Sequence, residues 1–344
     1  MLALWSLGLL GCAVFGQAPP SATAQQRPLS LTALPVNKAK LLLEQGQTAA
    51  AEQTVRDFLK TNSDSGEAHF LLGYILFVKT QNEAQLTIER HQDDYQPSSH
   101  PENKSAAEEM LNKESLAEFT EGARHQMPSA FDLKIVALDY IALGSYADAD
   151  KWLTRSLQKN QHDEQAWYYL ARTKYNENRF AEAIQGFQQC LKFDAKSVKY
   201  EDNLGLAFAA LGKHDEAIAA FKHAIEWQTD SASTNVGPYL NMGSLLLDMD
   251  RVPESVSFLQ KAVGITPQNS KAHELLGKAF VRLNNLAEAR VELEKAVSLS
   301  PQVASLHCML GPVYRKQGFA DKAKGEFEKC SAQASANPSL KNPH

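Results

Sequence analysis

The fold of this chain is decided by residues 166–195, which read AWYYLARTKYNENRFAEAIQGFQQCLKFDA. Counted from Glu164 as position 1, the residues at positions 4, 7 and 8 are Trp, Leu and Ala. This i, i+3, i+4 spacing places them on one face of an α-helix. The polar stretch Asn176–Arg179 is suited to a turn, and a second apolar stripe follows it. These residues therefore predict a helix–turn–helix hairpin.

The same pattern returns about every 34 residues, with a small residue at positions 8, 20 and 27 and a large one at position 24. Two antiparallel helices approach closely only where neither carries a bulky side chain, so the small residues mark the contact between them. Four extra residues near Asp230–Asn235 lengthen one period. Position 8 is occupied in turn by Gly73, Ala137, Ala171, Gly205, Gly243, Gly277 and Gly311.

The pattern W-x2-L-[GA] followed by A-x3-F-x2-A, at a 34-residue period, resembles the tetratricopeptide repeat. The resemblance covers about Thr32–Asn337 and departs at position 4, where three units carry His69, His273 and His307. We expect these departures to weaken single repeats without disturbing the period. The resemblance implies an all-α fold, a right-handed α-solenoid of about eight helix–turn–helix repeats. It also implies a concave face built from the first helix of each hairpin.

The composition excludes some classes of function. The chain has 344 residues, of which 44% are hydrophobic and 22% charged, with a net charge of −5. A single compact core of this length usually divides into domains, whereas a solenoid avoids the problem because each repeat touches only its neighbours. Nucleic-acid binding requires a basic excess, which this chain lacks.

The N-terminus predicts export. Residues 1–24 combine an apolar run, Met1–Phe15, with the A-x-A sequence Ala22–Ala24, which is typical of a secretory signal peptide. No Lys or Arg precedes the apolar run. An alternative is a bacterial lipobox at Leu9–Cys12, which would leave a lipid anchor on Cys12. Either alternative places the mature chain in the periplasm or cell envelope, after a flexible leader at residues 25–31.

The repeats divide into two groups. Residues 32–129 hold two repeats, and about thirty residues are inserted between the helices of the second. We expect residues 80–104 to form a loop and Ser105 to begin the next helix, with Glu108 completing a capping box. Residues 130–337 hold six repeats without a comparable insertion, and residues 338–344 are expected to be a disordered tail.

The sequence contains no catalytic motif. The run from His273 to Gly277 begins like the metalloprotease motif H-E-x-x-H but lacks the second histidine, and no phosphate-binding loop is present. His and carboxylate side chains at His91, Asp93, Asp94, His100 and Glu102 lack the spacing of a metal site. A solvated loop explains them. The sequence therefore predicts no catalytic residue, no metal and no cofactor.

Three cysteines belong to the repeats. Cys190 and Cys330 occupy position 27, where a small buried residue is required. Cys308 lies at position 5 of the last repeat, and positions 5 and 27 can be neighbours in an antiparallel hairpin. An oxidising compartment permits a disulfide, so a Cys308–Cys330 bridge is a hypothesis, and two free structural thiols are the alternative.

If the concave face forms as the resemblance implies, positions 2, 5, 9, 12 and 13 point into it. Tyr and Arg often dominate binding energy, and neighbouring cations can hold carboxylates. The alternative is ordinary solvated charge. The candidate binding residues are Tyr168, Arg172, Tyr175 and Asn176 in the middle of the chain, and Lys278, Arg282, Arg315 and Lys316 as a basic stripe near its end.

These observations favour a non-catalytic scaffold or adaptor that binds an extended peptide or partner protein on the concave face. The basic stripe predicts an acidic or carboxylate-ended peptide. We expect no nucleic-acid partner, and contact with a membrane only through a lipid anchor at Cys12. The alternative is an enzyme, or an enzyme's regulatory subunit, with its chemistry in the 80–104 insert.

Overall fold

The computed structural model describes residues 33–90, 105–228 and 234–336. Within these ranges the chain forms sixteen α-helices and no strand. The helices are α1 (Ala33–Glu44), α2 (Thr48–Leu59), α3 (Gly66–Arg90), α4 (Ala106–His125), α5 (Ala130–Ala142), α6 (Tyr146–Lys159), α7 (Glu164–Asn176), α8 (Phe180–Phe193), α9 (Val198–Ala210), α10 (His214–Trp227), α11 (Gly237–Asp248), α12 (Val252–Ile265), α13 (Ser270–Arg282), α14 (Leu286–Leu299), α15 (Ala304–Lys316) and α16 (Ala320–Ala336).

Consecutive helices pack as eight hairpins, from α1 with α2 to α15 with α16. The second helix of each hairpin then packs against the first helix of the next. The first helices of neighbouring hairpins are also in contact: α1 packs against α3, and α13 packs against α15. The buried apolar residues accordingly form a row of adjoining clusters along the array, as expected when each repeat contacts only its neighbours. The predicted all-α solenoid of about eight repeats is confirmed.

The small residue at position 8 lies against the large residue at position 24 of the same hairpin. A Cβ atom at Gly205 would lie only 2.5 Å from Cε1 of Phe221, well inside the distance of favourable contact. Where position 8 is Ala171, the second helix carries Gly186, whose added Cβ would lie 2.7 Å from that of Ala171. The pairs Gly73–Phe119, Gly243–Leu259, Gly277–Leu293 and Gly311–Phe327 show the same close approach, at 2.6–2.8 Å.

The turn inside each hairpin places position 15 in the left-handed region, which favours Gly and Asn. In the third hairpin, Gly144 has φ 75°, and the amide of Ser145 donates to the carbonyl of Tyr140 at 2.8 Å. This bond closes the end of α5 as a Schellman motif. The residues at position 15 with positive φ are Gly46, Gly144, Asn178, Gly212, Asp250, Asn284 and Gly318.

The histidines at position 4 link the two helices of their hairpins. His273 Nδ1 lies 2.6 Å from Glu292 Oε2 on α14, and its Nε2 lies 3.0 Å from the carbonyl oxygen of Pro267. Trp167 occupies the same position in α7 and donates from Nε1 to the carbonyl of Gln161 at 3.0 Å. The same arrangement joins His69 to Glu118 and Ser63, and His307 to Glu326 and Pro301.

Both neighbours of each histidine are acceptors, so both ring nitrogens can donate only when the imidazole is protonated. Burial alone would lower the pKa of His273, but its hydrogen bonds to Glu292 and to the Pro267 carbonyl outweigh burial and raise it. The pKa of His69 is raised in the same way, against burial, by Glu118 and a backbone carbonyl. The histidines at position 4 thus link the first helix of each of these hairpins to the second through a carboxylate.

The insert differs from its prediction. Helix α3 continues past Thr80 to Arg90, so the first part of the predicted 80–104 loop is helical. This part contains no Gly or Pro to end the helix, and Thr80 is buried at its start. Ser105 caps α4 with the capping box expected with Glu108. Residues 91–104, which include the His and carboxylate cluster, lie outside the described residues.

Other predictions also fall outside the described residues: the signal peptide at 1–24, the leader at 25–31 and the tail at 338–344. Across residues 33–90, 105–228 and 234–336, no helix has the combination of length and hydropathy that a bilayer crossing requires. At the lengthened period, Gln228 bridges the gap, because its Nε2 donates to the carbonyl of Asn235 at 3.1 Å and its Oε1 accepts from the Asn235 amide at 2.7 Å.

Candidate functional site

The first helices of the hairpins lie side by side, and two grooves open between them. We call the groove between α13 and α15 the C-terminal groove and the groove between α1, α3 and α5 the N-terminal groove. Both use the same register. Each is lined by positions 9, 12 and 13 of one repeat and positions 5, 6 and 9 of the next.

The C-terminal groove has an apolar floor and a cationic rim, in a volume of about 350 Å³. Lys278 and Arg282 on α13 and Lys316 on α15 form the rim. The floor consists of Val281, Leu286, Cys308, Met309, Pro312 and Val313. The structure thus brings together three of the four residues of the predicted basic stripe.

The three cations of this rim have few partners of their own. Arg282 donates from Nη1 to the carbonyl of Leu247 and lies 3.8 Å from Asp250 Oδ1, which is itself largely exposed. Among the described residues, neither Lys278 nor Lys316 has a carboxylate oxygen within 4 Å. The groove therefore presents three positive charges next to apolar surface.

Arg315 does not join this groove. Its guanidinium carbon lies 5.6 Å from the ring of Phe327 on α16, and its side chain borders a cavity lined by α15 and α16. On α15 the residues that line the groove are Cys308, Met309, Pro312, Val313 and Lys316, and Arg315 is not among them. Arg315 consequently serves as a matched neighbour outside the site.

Cys308 and Cys330 are joined by a disulfide in the structure, with their Cα atoms 5.1 Å apart. The bridge ties α15, which forms one wall of the C-terminal groove, to α16. Cys190 is buried, and burial raises the pKa of its thiol to about 12. Because thiol reactivity depends on the thiolate, Cys190 is a packing residue.

The middle of the concave face is a cluster of tyrosines and cations on α7 and α9. Lys199 Nζ lies 3.5 Å from the ring centre of Tyr168 and 5.4 Å from that of Tyr200. Arg172 donates from Nη1 to Asn203 Oδ1 at 2.7 Å. Tyr168, Arg172 and Tyr175 therefore lie along one face of α7, and Arg172 already bonds to Asn203 within the protein.

Two further predicted residues border this cluster. Tyr175 packs edge-on against Phe180 with ring centres 5.4 Å apart, and Asn176 is half-buried beside it. Asp202, at position 5 of the next repeat, is buried, and burial raises its pKa to about 7 although Asn241 donates to it at 2.9 Å. The hydrogen bond between Asp202 and Asn241 joins α9 to α11.

The N-terminal groove is absent from the sequence predictions. It occupies about 500 Å³ and is lined by Leu43, Phe70, Leu71, Tyr74 and Phe131, with Lys40, Glu44, Glu67, Gln126 and Asp132 around them. The register that identified the basic stripe, applied to the first three repeats, points to most of these residues. The repeat register alone is therefore enough to locate this groove in the sequence.

No group of three or more His, Cys, Asp or Glu residues placed to hold a metal ion occurs in the part of the chain that the structure describes. The alternative of chemistry in the 80–104 insert concerns residues that lie mostly outside that part. What the described residues offer is a set of grooves with apolar floors and charged rims, an arrangement suited to recognising peptide side chains.

Similar proteins share the repeat and the fold. A DnaJ homolog subfamily C member 7 homolog from Dictyostelium discoideum is 24% identical over 145 aligned residues, which cover 39% of this chain and only 27% of that protein. A solved tetratricopeptide repeat protein from Parabacteroides merdae superposes with a TM-score of 0.56 at 17% identity, covering 82% of this chain and 98% of that one.

PilW, described as a type IV pilus biogenesis factor, superposes with a TM-score of 0.53 at 20% identity, covering 62% of this chain and 95% of its own. At such identities these structures show the fold alone. A tetratricopeptide repeat model matches residues 36–86, 137–197 and 240–304, and a second such model matches residues 202–231. Since these matches cover more than half of the sequence, the chain belongs to the tetratricopeptide repeat family.

Proposed function

We propose that this chain is a non-catalytic adaptor that holds an acidic or carboxylate-ended peptide segment of a partner protein in its C-terminal groove. The observation that carries the proposal is the rim of Lys278, Arg282 and Lys316 around an apolar floor. Cations beside low-dielectric surface attract carboxylates more strongly than fully solvated ones do. Arg282 adds a planar donor that suits carboxylate geometry.

The groove favours a peptide with both an acidic and an apolar residue. The floor residues, among them Val281, Met309 and Val313, offer dispersion contacts and apolar area. The rim cations then set which neighbours of the apolar residue are accepted, because like charges at the rim disfavour a basic peptide. Affinity and selectivity thus come from different parts of the same groove.

We place this adaptor in the bacterial periplasm or cell envelope. The signal-peptide pattern of residues 1–24 supports export, and the Cys308–Cys330 bridge suits an oxidising compartment. The test is mass spectrometry of the N-terminal peptide of protein from an envelope fraction. A mature chain that begins at Gln25 supports a soluble periplasmic form, and a lipid-modified Cys12 supports an anchored one. An unprocessed cytoplasmic chain would overturn the proposed location.

The groove is tested with a fluorescein-labelled peptide whose ends are blocked and whose central Leu–Trp pair is flanked by glutamates. Charge reversal at Lys278→Glu and Lys316→Glu together should weaken binding of this acidic peptide at least about tenfold, from the loss of two attractions and the gain of two repulsions. The measurement is fluorescence anisotropy with the full chain, at low and at high salt.

Arg315→Glu is the matched control for Lys316→Glu alone, because Arg315 neighbours Lys316 in sequence but lies outside the groove. It should change the affinity for the acidic peptide less than twofold. Equal losses in the control and the groove variant would show general charge attraction. That result, or no loss in either, would remove the proposed function of this groove.

A further inference from the structure

The N-terminal groove differs from the C-terminal groove in having an aromatic floor. Phe131 on α5 is 44% exposed, and its ring meets that of Tyr74 on α3 edge-on at 5.0 Å between centres. Phe70 and Leu43 complete the apolar surface. A large apolar side chain that is partly exposed at a concave position leaves apolar area that a ligand can cover.

The rim of this groove carries excess negative charge. Three carboxylates, those of Glu44, Glu67 and Asp132, face one ammonium, that of Lys40. Lys40 Nζ already lies 2.6 Å from Glu67 Oε1, so it neutralises one of the three. Asp132 caps α5, where its Oδ2 accepts from the amide of Ser129 at 2.7 Å. Among the described residues, Glu44 has no cationic group within 4 Å.

Aromatic rings add to this preference for cations. The electron-rich face of Phe or Tyr attracts an ammonium or guanidinium group within about 6 Å. Lys134 already shows this geometry from within the protein, with its Nζ 5.8 Å from the centre of the Phe131 ring. A ligand cation that enters beside Glu44 therefore meets both a carboxylate and aromatic surface, whereas a ligand carboxylate meets repulsion.

We propose that the N-terminal groove is a second binding site, which takes a peptide segment with a large apolar side chain flanked by lysine or arginine. This inference rests on the proposed function, in which the concave face binds extended peptides, and adds a site of opposite charge.

The test uses two labelled peptides with blocked ends and the same Leu–Trp centre, one flanked by lysines and one by glutamates. Each is titrated against the full chain, against Glu44→Lys with Glu67→Lys, and against the variant with Lys278→Glu and Lys316→Glu. The lysine peptide should lose about tenfold or more in affinity only with the N-terminal variant. The glutamate peptide should lose affinity only with the C-terminal variant.

The matched control is Glu226→Lys with Glu288→Lys, which makes the same change in net charge on the exposed sides of α10 and α14. It should leave the lysine peptide within about twofold of the original affinity. Phe131→Ala should weaken the lysine peptide by removing part of the floor and leave the glutamate peptide unchanged, and circular dichroism checks that each variant is folded.

Failure of this inference and failure of the proposed function give different results. If the lysine peptide binds the N-terminal variant as tightly as the original chain, or loses as much affinity with the control, the second site does not exist. If only the glutamate peptide keeps its affinity, for the variant with Lys278→Glu and Lys316→Glu, the C-terminal groove is not the acidic-peptide site. The N-terminal site is then supported independently of the proposed function.

Discussion

The N-terminal and C-terminal grooves are built from the same repeat positions and differ in charge. At position 9 both carry lysine, Lys40 and Lys278. At position 13 the first carries Glu44 and the second Arg282. At position 5 of the following repeat, the aromatic Phe70 corresponds to Cys308. With the carboxylates of Glu67 and Asp132 at the first rim and Lys316 at the second, these differences make the first groove acidic and aromatic and the second cationic and aliphatic.

This difference separates the two tasks of a repeat. Positions 8, 15 and 24 carry the packing of the hairpin, and their residue types hardly vary along the chain because close approach and left-handed turns admit few side chains. Positions 9 and 13 line the grooves and do not form the close contact between the two helices, so their chemistry is free to differ between repeats. The packing residues therefore recur in every repeat, whereas the residues of the binding surface can differ from one repeat to the next.

The largest expected effect distinguishes the grooves by redox state, because within the described residues only the C-terminal groove contains a disulfide. Reduction of Cys308–Cys330, which are 22 residues apart, should cost roughly 3 kcal/mol of stability through the restored freedom of the unfolded chain. In a repeat array this loss should stay local to α15 and α16. Hydrogen exchange with and without dithiothreitol measures it.

The control for reduction is Cys190→Ala, which removes the buried free thiol and keeps the bridge. It should respond to dithiothreitol as the unmodified chain does, and Cys308→Ser with Cys330→Ser should not respond. Binding of the glutamate peptide should weaken on reduction while binding of the lysine peptide stays the same. Faster exchange in α1–α4 after reduction would contradict a local effect.

A smaller effect comes from breaking one scaffold contact under one groove. Gly311→Ala places a Cβ 2.8 Å from the ring of Phe327, and such overpacking costs about 1–3 kcal/mol. Alanine also favours the helix over glycine by about 0.5–1 kcal/mol, so we expect a net loss of roughly 1–2 kcal/mol. Thermal unfolding followed by circular dichroism measures the change.

Gly325→Ala in the same hairpin is the matched variant, since an added Cβ there meets nothing within 4 Å. It should stabilise α16 by up to about 1 kcal/mol. In Gly73→Ala the added Cβ would lie 2.8 Å from the Phe119 ring. This substitution should destabilise the hairpin of the N-terminal groove and leave that of the C-terminal groove unchanged. If Gly311→Ala and Gly325→Ala behave alike, the close approach is not what sets the residue at position 8.

The repeat scaffold could be predicted from sequence because its constraints are local and periodic. Close helix contacts demand small residues at fixed spacing, so Gly205 and its counterparts located the hairpins directly. The capping box of Ser105 and Glu108 was similarly readable, because its partners are three residues apart. The helical extension of α3 to Arg90 does not follow from composition, because polar residues favour a loop as readily as an exposed helix, although residues 80–90 contain no Gly or Pro to end the helix.

The site was less predictable, because grooves depend on side-chain direction and on contacts between distant residues. Lys316 and Arg315 are equivalent as charges in a sequence, and only the helix geometry separates them. The pairing of His273 with Glu292 spans 19 residues and needs the folded hairpin to become visible. In the sequence, a histidine at position 4 is a departure from the repeat pattern. In the structure, the same histidine contacts a carboxylate on the second helix of its hairpin.

These histidine pairs lead to the smallest predicted effect, which tests whether the two ends share a scaffold despite their different grooves. His69 supports the hairpin of the N-terminal groove, and His273 supports that of the C-terminal groove. In both, hydrogen bonds to a carboxylate and a carbonyl raise the pKa of the histidine in spite of burial. At the centre of the array, Trp167 takes this position and does not titrate.

Because the pKa of His273 is higher in the folded than in the unfolded chain, its contribution is complete below the unfolded value of about 6.5. It is lost as pH rises through the raised folded pKa. We expect stability to fall by about 1 kcal/mol per pair across this window, and Glu292→Gln to reduce the fall in α13 and α14 only. Glu288→Gln, on the exposed side of α14, should leave the fall in stability unchanged.

Hydrogen exchange at pH 6 and pH 8.5, corrected for intrinsic rates, measures the stability of each repeat separately. If each hairpin is protected to the same extent at pH 6 and at pH 8.5, the His69 and His273 pairs do not contribute to stability. If protection falls at only one end of the chain, the two ends do not share this feature of the scaffold.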